Sequence, residues 1–135
     1  MGAAEAFASG YRAAAGSLVR GGQLWYKKIM DTDTRSIVCR LKGSLESLYG
    51  SRLSRLILYG SQVRGDADRY SDIDVLVVLK GPVKPGDEIA RTGGIVADLS
   101  LQIDKVITCV FMDEERYLHR AGPLLRNIRR EGVAI

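Results

Sequence analysis

The stretch LYGSQVRGDADRYSDIDVLVVL, residues 58–79, decides how the chain is read. It begins apolar, turns at Gly60-Ser61, crosses a polar patch and enters a run of Val, Leu and Ile through Asp72-Ile73-Asp74. A buried strand avoids carboxylates because an unpaired buried charge is costly. Two aspartates spaced i, i+2 on a strand point to one face. Placed so close, they repel each other, and a divalent cation resolves the conflict. Mg²⁺ takes oxygen ligands and is commonly held by one or two carboxylates together with substrate phosphates. Upstream, Gly60-Ser61 closes an apolar run at a turn whose backbone N–H groups can face an anion, and glycine permits close approach. A phosphate cradle and a carboxylate pair, with ten residues between Ser61 and Asp72, are the two halves of a nucleoside triphosphate site. Taken alone, an Asp-x-Asp favours the plainer reading, with Ser71 and Asp72 as turn residues. The whole string, with Arg64-Gly65, Ala67 and Ser71 inside it, favours the site.

The flanking sequence supplies a scaffold. Ile37, Val38, Leu41, Leu45 and Leu48 recur at helical spacing, with Thr32, Asp33 or Thr34 to cap the start and Gly50 to end it, so a helix is predicted over 33–49. Arg55–Gly60 reads as a buried strand, and one or two helical turns can follow Ser61. Asp72–Leu79 reads as a strand apolar on both faces beyond Asp74. Pro82, Pro85 and two glycines mark a loop. Glu88–Gln102 is helical by pattern, with Ile89, Ile95, Val96, Leu99 and Ile103 on its apolar side, although Gly93-Gly94 weakens it. Lys105–Met112 is a strand rich in β-branched residues. Asp113 caps a helix over about 114–120, which leads into PLLRNIRREGVAI. The predicted class is α/β (α+β): a small mixed sheet flanked by helices.

With 135 residues, 46% hydrophobic and 27% charged, the chain has the size of one domain. Residues 1–30 are expected to be a weakly ordered or helical leader, with Met30 an alternative natural start, and 31–135 a single domain. The leader lacks the continuous apolar core of a secretory signal, and its arginines and scarcity of acids only faintly suggest an organelle presequence. No apolar run is long enough to span a membrane, so a cytoplasmic protein is expected. Cys39 and Cys109 have no metal-ligand spacing and read as reduced thiols. His119 is the only histidine and reads as a surface helix residue, which argues against a Ser-His-Asp or Cys-His site. The net charge of +4 suits an anionic ligand without demanding nucleic acid. Arg120, Arg126, Arg129 and Arg130 form a basic run interrupted by Glu131, without an aromatic platform, and read as a solvated helix end.

At Gly60-Ser61, Arg64-Gly65-x-Ala67 and Ser71-Asp72-Ile73-Asp74 the sequence resembles the minimal nucleotidyltransferases, the small branch of the DNA-polymerase-β-like superfamily. The resemblance covers about residues 33–135. It implies a mixed sheet flanked by helices, two Mg²⁺ ions on Asp72 and Asp74, and NTP phosphates on Gly60 and Ser61. Arg64 is a candidate phosphate contact or a structural partner of Asp66 or Asp68. The implied reaction is transfer of a nucleoside monophosphate from an NTP, ATP by expectation, to a hydroxyl of a macromolecular acceptor, most simply a protein. Domains of this kind are often paired with a helical HEPN-type protein as toxin and antitoxin, which makes such a protein the expected partner.

One feature departs from the resemblance. Polymerase-like members carry a third carboxylate on a neighbouring strand. Here that strand should be Lys105–Met112, and Thr108 is expected at the third-carboxylate position. Asp104 shares its parity, but four residues of strand separate them by about 13 Å. Asp98 reads as part of a solvated helix face. A second reading follows from Thr108: a catalytically weak NTP-binding module that acts by docking to a partner.

Overall fold

A helix can begin at Thr32 because Asp31, in extended conformation, accepts a hydrogen bond from the Thr34 N–H at 2.7 Å. The cap is thus Asp31, not Thr32, Asp33 or Thr34: the capping side chain must stand one residue outside the helix to reach back to its third N–H. The computed structural model describes residues 30–64 and 72–135, with the side chains of Ser61 and Arg64 outside the description. The expected leader therefore lies outside the described residues, except for Met30, which is buried in the core.

Helix α1 (Thr32–Tyr49) ends at Gly50, and a short 3₁₀ turn follows (Gly50–Arg52). Then come β1 (Leu53–Tyr59), α2 (Ser61–Arg64), β2 (Ile73–Leu79), α3 (Pro85–Ile103), β3 (Ile107–Asp113), α4 (Glu114–His119), α5 (Pro123–Glu131) and β4 (Val133–Ala134). The sheet order is β3-β2-β1-β4. β2 runs antiparallel to β1 and parallel to β3, and β4 runs antiparallel to β1, so the sheet is mixed as expected.

Alternation along the central strands divides the core in two. Leu56 and Leu58 of β1, Val75 and Val77 of β2, and Phe111 of β3 face α1 and α3, where Ile37, Val38, Leu41, Leu45 and Leu99 pack. Ile57, Leu76, Val78 and Met112 face the other way, against Tyr117, Leu125 and Ile128 of α4 and α5. Both faces of β2 are therefore covered, which is why its sequence is continuously apolar. Each fully buried leucine or isoleucine here contributes about 1.5–3 kcal/mol relative to exposure.

Several expectations shift. Leu48 and Ile89 are exposed at 40% and 56%, and Tyr49 takes the inward place at the end of α1. Tyr49 Oη donates to Glu88 Oε1 at 2.8 Å, so a hydrogen-bonded pair occupies the position an aliphatic side chain was expected to fill. α3 starts at Pro85, whose missing N–H suits the first turn, and continues through Gly93-Gly94 because Ile95, Val96, Leu99 and Ile103 anchor it to the core. In the tail only a helix end at the basic run was expected, without a closing strand. The tail forms α5, then turns at Gly132 to give β4. A Cβ on Gly132 would lie 2.5 Å from the Ile128 carbonyl oxygen and 2.7 Å from Ile57 Cγ2, so only glycine lets the helix end close over β1.

Candidate functional site

Three strand ends meet at one end of the sheet: the C-terminus of β1 and the N-termini of β2 and β3. Asp74 is the second residue of β2 and half-buried. Its Cα partner on β1 is Tyr59 and on β3 is Thr108. All three lie on the face covered by α4 and α5, where Tyr59 packs at the margin of the cluster that Leu76, Tyr117, Leu125 and Ile128 form. Leu76 and Val78 are fully buried on this face, whereas Asp74 is half-buried and Thr108 is exposed.

Asp72 stands exposed just before the strand, two residues ahead of Asp74. Gly60 follows Tyr59 with φ +82°, in the left-handed region, where an L-residue loses roughly 1–2 kcal/mol. An ideal Cβ on Gly60 would fall 2.5 Å from Asp74 Oδ2. The glycine therefore makes room for a carboxylate. After Gly60 the chain enters α2, and the Val63 N–H donates to the Gly60 carbonyl at 3.1 Å. The side chains of Ser61 and Arg64, and residues 65–71 with Asp66, Ala67, Asp68 and Ser71, lie outside the description.

Tyr59 was not singled out from the sequence. Its phenol is pushed up to about 12, first by burial and then by the negative charge of Asp74. The signal was present, an aromatic immediately before Gly60, but its partnership with Asp74 depends on a β1–β2 register that no local pattern encodes. Burial pushes the Cys109 thiol up to about 12 as well, which suits a packed thiol rather than a nucleophile.

Thr108 is exposed and stands directly beside Asp74 across the parallel pair. Asp104 lies off the strand: it is the C-cap of α3, in left-handed conformation with φ 55° and ψ 42°, and exposed. Asp98 is exposed on α3. Among the described residues no group of three His, Cys, Asp or Glu side chains is placed to hold a metal ion. Two carboxylates at the mouth of a strand, one with space kept free beside it by Gly60, fit a hard cation that takes its remaining ligands from phosphate and water. They do not form an all-protein cage.

Several other polar residues brace the scaffold. At the opposite end of the sheet, buried Glu88 accepts from Tyr49 and pairs with Arg52 at 3.2 Å and Arg91 at 2.7 Å. Arg129, expected to be solvated, instead donates to the Tyr117 carbonyl and to the Arg120 carbonyl at 2.8 Å, and lies over the Tyr117 ring. His119 is exposed at the end of α4, as expected, and Cys39 and Cys109 are not joined in a disulfide. No described helix is long and apolar enough to cross a membrane.

Against known families, the model described as "Nucleotidyltransferase domain" matches residues 38–134. Two proteins of Methanocaldococcus jannaschii, each named "putative protein adenylyltransferase", are similar in sequence. One is 41% identical over 44 residues, 33% of this chain and 44% of that protein. The other is 32% identical over 91 residues, 66% of this chain and 84% of that protein. This chain thus matches under half the length of the first and most of the second. Among solved structures, a "putative nucleotidyltransferase" from Sulfolobus solfataricus aligns over 78% of this chain and 86% of its own, with 18% identity and a TM-score of 0.45.

Proposed function

This chain belongs to the nucleotidyltransferase domain family, and we propose that it transfers AMP from ATP to a hydroxyl of a protein acceptor. The observation that carries the reading is the Asp74 carboxylate, lodged where Gly60 leaves space for it, with Asp72 two residues ahead at the open end of the sheet. The choice of ATP and of a protein acceptor follows the names of the two archaeal relatives.

In this reading the acceptor oxygen forms a bond to the α-phosphorus while the bond from that phosphorus to the β-phosphate oxygen breaks. Pyrophosphate leaves and the hydroxyl proton passes to water. Asp72 and Asp74 would hold the metal, Mg²⁺ by its preference for oxygen, and a second ion in a fully active site. Bound there, the metal would neutralise charge on the triphosphate and on the departing pyrophosphate. The Gly60-Ser61 backbone faces the phosphates, and Arg64 either contacts them or braces the loop. A helical HEPN-type protein as acceptor, and an antitoxin role toward it, complete the proposal.

Thr108 favours a second reading. A hydroxyl is a poor Mg²⁺ ligand beside a carboxylate, so the site could bind Mg·NTP and act through partner docking without efficient turnover. Incubation with α-labelled ATP, Mg²⁺ and the candidate partner separates the two. Label on the partner that is lost in Asp72→Asn and Asp74→Asn supports transfer. Label that persists in both variants removes this site from the reaction, whereas a nucleotide-induced stabilisation without label supports the binding module.

A further inference from the structure

We propose that the outer edge of β3 receives an extended segment of the acceptor protein as a fifth strand, which presents a hydroxyl side chain across Thr108 to the Asp72–Asp74 site; this rests on the transfer reading above. β3 ends the sheet order β3-β2-β1-β4. The Ile73 N–H donates to the Val106 carbonyl at 2.9 Å, which sets the phase of the parallel ladder. Even-numbered residues of β3 therefore turn their backbone groups toward β2, and odd-numbered residues turn theirs outward.

The first outward N–H, on Ile107, is taken by Ser100 Oγ at 3.3 Å, so α3 closes the start of the edge. The next two, on Cys109 and Phe111, point away from β2, on the side where no further strand of the sheet stands among the described residues. An open edge of this kind is normally guarded by lysine, proline or a bulge. ITCVFMD has none of these, and its register with β2 is unbroken.

The edge is continuous with the site. Thr108 is the Cα partner of Asp74 and is exposed, and Val106 just before the strand is 58% exposed. An added strand would lie one spacing beyond β3 and two beyond β2, about 10 Å from Asp74. Its side chains facing the site would pass over the small Thr108, where a bulkier residue would stand in the way. A second copy of the chain paired through the same edge would cover this approach, so an acceptor segment is the occupant that leaves the site usable.

The test uses the full chain and short synthetic peptides that alternate Val with Ser, Thr or Tyr and end in lysines. The same peptides are also made with backbone N-methylation on alternate residues. Amide exchange read by NMR should slow about tenfold at Cys109 and Phe111 with the plain peptides and stay unchanged with those methylated on the pairing side. Cys109→Pro removes an N–H that β2 does not use and should raise the peptide KM in label transfer about tenfold while the Mg·ATP-induced melting shift is retained. Unchanged exchange at both amides overturns the proposal, as does protection that rises with protein concentration alone, which would make the edge a self-association surface. Protection without label transfer leaves the docking standing and removes the transfer reading. Transfer without protection does the reverse.

Discussion

Gly60 stands so close to Asp74 that a Cβ in its place would lie 2.5 Å from Oδ2. The glycine is thus required twice, by its φ of +82° and by the carboxylate it accommodates. Gly60→Ala should lower stability by about 1–2 kcal/mol from backbone strain and also displace the Asp74 carboxylate. Melting curves with and without Mg·ATP check this: the variant should lose most of the ligand-induced shift, beyond the drop in its own melting temperature. A full shift on a merely destabilised protein would show that Asp74 does not depend on the space at Gly60.

Thr108→Asp places a third carboxylate beside Asp74 across the β2–β3 pair. The position is exposed, so burial of the new charge adds no large cost. Like charges directly opposite each other should destabilise the metal-free protein by about 0.2–1 kcal/mol. Mg²⁺ should reverse this and stabilise the variant more than the wild type, and label transfer should rise. A melting temperature equally reduced at every Mg²⁺ concentration would remove Thr108 from the metal's reach.

Tyr59 reports on Asp74 by titration. Its phenol, pushed up to about 12, remains protonated at pH values where an ordinary tyrosine, with its model value of 10.0, ionises. The raised value means that Tyr59 stabilises the fold fully below pH 10 and that this contribution fades as pH rises toward about 12. Asp74→Asn removes the neighbouring negative charge and should lower the phenol's midpoint without returning it to 10.0, because burial persists. Ultraviolet titration of phenolate, with Tyr59→Phe subtracted to isolate the residue, provides the measurement. An identical midpoint in wild type and Asp74→Asn would contradict the packing of the two side chains.

Glu88 anchors the far end of the fold and should shape acid stability. Burial alone would raise its carboxyl, but hydrogen bonds from Tyr49 and Arg52 and the charges of Arg91 and Arg52 more than offset this, so its pKa is lowered from 4.5. A lowered carboxylate contributes stability above its unfolded value and loses it as pH falls through the folded one. Glu88→Gln should therefore cost about 1–3 kcal/mol at neutral pH, and the gap to wild type should narrow below about pH 4.5. Urea unfolding at neutral and acidic pH decides it: a constant difference would mean that Glu88 acts only through packing.

The number and kind of most elements were legible from residue patterns. Val75–Leu79 is continuously apolar because both faces of the strand are covered, and Asp72 and Asp74 stand out against that run for the same reason. Gly60 is legible as a turn because only glycine tolerates its φ without strain. These features are local, and short-range sterics and side-chain alternation write them directly into the sequence.

Register and closure were decided by tertiary structure. Tyr59 faces Asp74 only because β1 and β2 pair as they do, and the connection between them is too long for a turn type to set the register. β4 has two residues and no periodicity of its own, and it exists because α5 delivers Val133 to the edge of β1. Leu48 and Ile89 fit the apolar spacing of their helices yet are exposed, because the buried Tyr49–Glu88 pair fixes how α1 and α3 meet. Likewise Asp104 and Thr108 share a parity, but α3 ends at Asp104 in a left-handed cap, so only Thr108 reaches the strand beside Asp74. Spacing along a chain states which side chains can share a face; which of them touch is decided by the packing of elements distant in sequence.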